Sequence, residues 1–161
     1  MLVRQLTNAD AASFRALRLA GLRDHPDAFG SSWEEEAEQP LSWFADTLRD
    51  GYVIGCETDS ALVGIAGFFR GERLKTRHRG TLWGMYVSPE ARGQGVGSAL
   101  VQHIIGHAQN TVEELNLTVA AHNQSAMKLY ESMGFVRNGL DPRALKIAGE
   151  YVDEVSMRLV I

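Results

Sequence analysis

The segment Tyr86-Val87-Ser88-Pro89-Glu90-Ala91-Arg92-Gly93-Gln94-Gly95-Val96-Gly97-Ser98-Ala99-Leu100 constrains this chain most. A strand-like run ends at Pro89, three alternating glycines follow, and a helix begins. That helix has a clean apolar face of Val96, Leu100, Val101, Ile104, Ile105 and Ala108, the spacing of a buried amphipathic helix. Glycines let backbone N–H groups approach a ligand without side-chain interference. A helix N-terminus adds orphan donors and the positive end of the helix dipole. Strand, glycine loop and helix together predict a phosphate or pyrophosphate site, with Arg92 adding charge. A Walker loop needs a Gly-Lys-Ser/Thr ending, and no lysine lies here. The dinucleotide fingerprint needs a third glycine where this chain has Ser98. The acidic pair Glu113-Glu114 also precedes the next strand rather than ending it. A dinucleotide-dependent enzyme is therefore disfavoured.

Composition narrows the partners. The 161 residues fit one domain, expected to span 1–161. Sixteen basic and 20 acidic residues give a net charge of −4. That argues against nonspecific nucleic-acid binding, which Lys and Arg drive. One cysteine, Cys56, excludes an internal disulfide and a multi-cysteine metal site. Cys56 lies in an apolar strand and reads as buried filler. His103, His107 and His122 lack ligand spacing, so no metal is expected. No signal peptide is evident at Met1 to Gln5, and no apolar run reaches the ~20 residues of a membrane helix. The expected location is cytoplasmic.

Along the chain, Leu2 to Leu6 reads as a strand, and Phe14, Leu17 and Gly21 mark a helix face. Ser32 and Glu35 fit a capping box, and Pro40 breaks that short helix or begins the next. Leu41, Phe44, Ala45 and Leu48 form another face, ended by Gly51. Tyr52–Glu57 and Ala61–Arg70 read as a hairpin about Asp59-Ser60. Thr81–Ser88 is the next strand. Leu115, Leu117, Val119 and Ala121 alternate as a strand. Asn123 caps a helix with Ala126, Leu129, Tyr130 and Met133 inward, closed by Gly134. Phe135–Asn138 and Tyr151–Val160 read as the last strands. The order predicts an α/β fold, a mixed sheet with helices on both faces.

The run Arg92-Gly93-Gln94-Gly95-Val96-Gly97 resembles the acetyl-CoA-binding motif of the GNAT superfamily of N-acetyltransferases, Gln/Arg-x-x-Gly-x-Gly/Ala. Asn123-Gln124-Ser125-Ala126-Met127-Lys128-Leu129-Tyr130-Glu131-Ser132-Met133-Gly134-Phe135 resembles its second block, and the element order is the family's order. The resemblance implies the GNAT fold, a mostly antiparallel central sheet flanked by helices. It also implies acetyl-CoA as co-substrate, with the loop from Arg92 through Gly93, Gln94, Gly95, Val96, Gly97 and Ser98 on the pyrophosphate. Met85, Tyr86 and Val87 would pair with the pantetheine arm, and the Val87 N–H would hold the oxyanion. Asn123 would cap its helix and touch the cofactor. Tyr130 matches the family's general acid; its ordinary pKa near 10 makes proton donation to a thiolate mildly uphill. On spacing alone Tyr130 reads as core, on the apolar face with Ala126 and Leu129.

The base is not assigned by the resemblance. Many relatives carry a glutamate on the strand before the loop, and Leu82-Trp83-Gly84-Met85-Tyr86-Val87 has no carboxylate. Glu34, Glu35, Glu36, His78, Tyr86 and Glu154 are candidates, each with a surface or structural role to set against it; direct loss of the proton to water is another route. Phe29 to Glu36 falls where the family builds its acceptor wall, and an acidic run there suits a cationic amine. It equally suits an exposed helix start. The basic loop Arg70 to Arg79 reads as solvated. The expected activity is direct acetyl transfer to a primary amine, with the absence of an appended domain favouring a small molecule. The alternative is a non-catalytic acyl-CoA-binding module of the same fold. Homodimers are common in the family.

Overall fold

The computed structural model describes residues 1–161. Seven strands form one sheet in the order β1-β2-β3-β4-β5-β7-β6. In chain order these are β1 (Leu2–Gln5), β2 (Tyr52–Thr58), β3 (Ala61–Arg70), β4 (Arg79–Val87), β5 (Glu114–Ala120), β6 (Val136–Ile147) and β7 (Glu150–Val160). The helices are α1 (Ala11–Asp24), α2 (Trp33–Ala37), α3 (Leu41–Asp50), α4 (Val96–Ala108) and α5 (Gln124–Ser132). Every strand pair is antiparallel except β4 with β5.

The alternation along each strand supplies two cores, one per sheet face. Leu100, Val101 and Ile104 of α4 and Met127 of α5 pack on Ile54, Ala66, Leu115 and Leu117. On the other face Phe14 and Leu22 of α1 and Phe44 and Leu48 of α3 cover Val53, Ile65 and Tyr86. Local signals act as read: Asp59 and Ser60 turn the β2–β3 hairpin with positive φ, Ser32 and Glu35 form a capping box, and Pro40 precedes α3.

One boundary is corrected. The expected strand Phe135–Asn138 instead begins at Val136 and runs to Ile147. Gly139 and Pro142 interrupt the pattern, yet β6 is the sheet edge, where proline and bulges are tolerated. Its register slips at Arg137/Gly139 and at Asp141/Leu145.

Two irregularities open the sheet. β4 and β5 pair only through Arg79, Gly80 and Thr81 against Glu114, Leu115 and Asn116. Beyond Thr81 the two strands separate. On the β3 side, Ile65 opposes Tyr86 and Gly67 opposes Trp83, so β4 carries one extra residue. Gly84, at φ 65°, occupies that bulge; a left-handed residue at a bulge favours glycine.

Candidate active site

The separation of β4 and β5 creates a cleft of about 1320 Å³ that continues to the glycine loop. Met85–Val87, Arg92, Gly93, Gly95–Ser98, Asn123 and Tyr130 all line it. Gln94 does not. Its side-chain amide turns back to the Glu90 carbonyl at 2.9 Å.

The loop is built to present donors. Gly95 is the N-cap of α4 at φ 84°, and no side chain caps the helix. The first helical bond here runs from the Ala99 N–H to the Gly95 carbonyl at 3.0 Å. The N–H groups of Val96, Gly97 and Ser98 therefore have no partner within the helix. No acidic residue occupies the first turn of α4, and a Cβ on Gly93 or Gly95 would meet nothing within 4 Å. Open space, free donors and the positive helix end fit a diphosphate. Gly97 serves packing instead, since a Cβ there would lie 3.1 Å from Leu129 Cδ2. The Arg92 Nε donates to the Val87 carbonyl at 3.1 Å, and its guanidinium lies 5.8 Å from the Tyr86 ring centroid.

At the end of β4 the Ser88 N–H donates to the Val63 carbonyl of β3 at 2.8 Å. Donors alternate along a strand, so the Val87 N–H faces the gap. Tyr130 approaches from the α4–α5 side, packed edge-on to Phe135. Burial pushes its phenol above the ordinary value, which makes it a weaker acid than its reference but keeps it protonated. Asn123 caps α5, its Oδ1 accepting from the Ala126 N–H at 3.2 Å.

The acidic run at the expected acceptor wall turns away. Phe29, Gly30 and Ser31 line the cleft, whereas Glu34, Glu35 and Glu36 do not. The Glu35 carboxylate closes the capping box. Glu36 is buried against Arg18, which donates from Nε at 2.6 Å and Nη2 at 2.8 Å. That ion pair was not visible in the spacing of the chain. His78 also lies off the cleft. Cys56 is buried, and burial raises its thiol pKa. No three His, Cys, Asp or Glu residues come together as a metal site, and no helix is long and apolar enough to cross a membrane.

A sheet that splits beside an uncapped helix N-terminus is the architecture of an acyl-CoA-dependent transferase, and comparison with known proteins agrees. Residues 19–135 match the acetyltransferase (GNAT) family. This chain belongs to that family. It is 25% identical to the L-amino acid N-acyltransferase MnaT of Escherichia coli, over 99% of this chain and 93% of that one. It is 29% identical to an L-methionine sulfoximine/L-methionine sulfone acetyltransferase of Pseudomonas aeruginosa, over 89% and 93%. The crystal structure of a GNAT-family acetyltransferase from Streptococcus pneumoniae superposes with a TM-score of 0.88 at 25% identity, covering 99% of both chains. A Sinorhizobium meliloti phosphinothricin acetyltransferase, solved in complex with AcCoA, shares the fold at a TM-score of 0.84 and 21% identity, covering 99% of this chain and 88% of that one.

Proposed function

We propose that this protein transfers an acetyl group from acetyl-CoA directly to the primary amine of a small molecule. The observation that carries the reading is the uncapped N-terminus of α4 opening into the gap between β4 and β5. The free N–H groups of Val96, Gly97 and Ser98 would hold the diphosphate. The edge of β4 from Met85 to Val87 would pair with the pantetheine arm, and the Val87 N–H would stabilise the developing oxyanion. Tyr130 would hold its proton for the leaving sulfur. Bound acetyl-CoA supplies the activated acyl group; the chain supplies position, hydrogen bonds and protons. Relatives named for amino acids and amino-acid analogues support a small, zwitterionic acceptor.

Calorimetric titration with acetyl-CoA, with NADH and ATP as controls, tests the cofactor. Saturable binding of acetyl-CoA alone is the expected result. Thiol release is then screened with L-amino acids, L-methionine sulfone and short alkylamines. Absence of acetyl-CoA binding would remove the proposal.

A further inference from the structure

Resting on the transferase reading, we propose that Glu154 receives the acceptor's ammonium group and takes its proton, as the general base on the α1 side of the sheet. Two carboxylates line the cleft, Asp27 and Glu154. Asp27 is tied to His122 Nε2 at 2.5 Å. Glu154 forms no ion pair. It is half-buried, so it is the cleft's one carboxylate left open to a cation.

Its place in the sheet gives it access to the gap. Glu154 stands opposite Ala120 of β5, and Ser156 opposite Thr118. Leu117, Val119, Val155 and Met157 alternate into the core beneath α4 and α5. Thr118, Glu154 and Ser156 therefore share the opposite face, the one that α1 and α3 cover over β2 to β4. Over β5 and β6 that face meets the short turn Pro26–Ala28. Tyr130 belongs to the core beneath α4 and α5, so acid and base approach the gap from opposite faces. One proton is delivered on one side while another is removed on the other.

The groups around Glu154 suit a base. Burial raises its pKa first, and Asp141, opposite it on β6, raises it further; a hydrogen bond from Thr118 on β5 opposes them. The arginines that line the cleft are engaged elsewhere: Arg18 with Glu36 at 2.6 Å, Arg79 with Glu114 at 2.8 Å, and Arg92 through Nε with the Val87 carbonyl at 3.1 Å. Asp153 accepts the Arg143 N–H at 2.8 Å. A carboxylate raised toward neutrality is a better proton acceptor at working pH. In the step itself Glu154 takes a proton from the ammonium nitrogen. The freed lone pair forms the C–N bond to the acetyl carbon, the nitrogen sheds its second proton to solvent as the C–S bond breaks, and the sulfur keeps its electron pair and takes the Tyr130 proton. The Glu154 proton passes to solvent and Tyr130 is reprotonated from solvent. The class of acceptor that fits is a small molecule with one primary ammonium and polar groups for Thr118 and Ser156.

Carboxyl-carbon NMR on the whole protein reads the site without turnover, the Glu154 resonance being the one lost in Glu154→Gln. Its titration is expected to fall to lower pH when ethylammonium chloride is added, and not when sodium chloride is. With L-methionine sulfone as acceptor, Glu154→Gln should lower kcat/KM near neutral pH by about 10²–10³-fold. The deficit should shrink as the pH rises toward the amine's own pKa, and Glu154→Asp should restore part of the rate. Acetyl-CoA affinity should match the wild type. A Glu154 resonance blind to ethylammonium, an unchanged pH profile in Glu154→Gln, or an acid limb that moves with His122→Gln instead overturns the assignment. A wild-type protein that binds no acetyl-CoA defeats the transferase reading; the ethylammonium shift then still reports separately on the amine site.

Discussion

Tyr130 is held by packing: it is 6% exposed, with its ring edge-on to Phe135 at 5.8 Å between centroids. Phenylalanine fills the same space, so Tyr130→Phe isolates the hydroxyl. We expect kcat to fall by about 10²-fold, with acetyl-CoA affinity and the thermal midpoint nearly unchanged. Because burial raises the phenol's pKa, Tyr130 should impose no alkaline loss of rate below about pH 10; stopped thiol-release assays across pH check both points. Arg18 and Glu36 make the opposite case, a buried charge pair with a structural task. The guanidinium lies 5.6 Å from the centroids of both Phe29 and Trp83, and its Nη1 has no hydrogen-bond partner. Removing one charge strands the other in a buried site. Glu36→Gln should therefore cost about 3–5 kcal/mol in urea unfolding, and the double change Arg18→Met with Glu36→Leu should recover most of it. A Glu36→Gln variant of full stability would show that the pair carries no such weight.

The bulge in β4 decides where the strand points. Gly84 sits at φ 65°, and a Cβ there would lie 3.3 Å from Arg18 Nη1. Alanine in the left-handed region costs roughly 1–2 kcal/mol, and relaxing that strain would reset the β4 edge. Gly84→Ala should lower stability by about that amount and weaken acetyl-CoA binding as well; unfolding and calorimetry on one sample test both. Little of this was legible beforehand. The glycine loop, α4 and the capped α5 follow from local periodicity and capping chemistry, which act within a few residues. Gly84 stood in plain view in an apolar strand, but its φ depends on the register of β3, set by residues far away in the chain. The same holds for β6, which runs through Gly139 and Pro142 because the sheet places it at an edge. Glu154 could be named among several carboxylates. Separating it from Glu34, Glu35 and Glu36 required knowing which carboxylates reach the cleft and which already had partners.

At the scale of the molecule, opposing groups set the acid limit and one seam sets the response to ligand. Arg4 on β1 binds both Asp10 at 2.8 Å and Glu57 at 2.7 Å, and the hydrogen bond to Arg4 draws the Asp10 carboxyl from 3.8 down to about 2. A lowered folded pKa contributes stability that is complete above the unfolded value and lost as pH falls through about 2. Arg4 is 35% exposed, so solvent screening limits the contribution to about 1 kcal/mol. Arg4→Gln should flatten the unfolding curve across that acid window. The seam is the β4–β5 junction, where only the feet of the strands pair and each core lies on its own sheet face. Past Thr81 the backbone donors of β4 that face the gap have no strand partner. A pantetheine arm lying there would supply acceptors to those donors, completing the sheet with a ligand in place of a strand. Ligand at 100 times its Kd would then stabilise the fold by about 2.7 kcal/mol. The protection should be patterned: hydrogen exchange should slow at Val87 and at β5 amides facing away from β7. Amides paired between β2 and β3 should change only with global stability. Equal protection across the whole sheet would mean that acetyl-CoA binds without entering the seam, and the splayed strands would need another explanation.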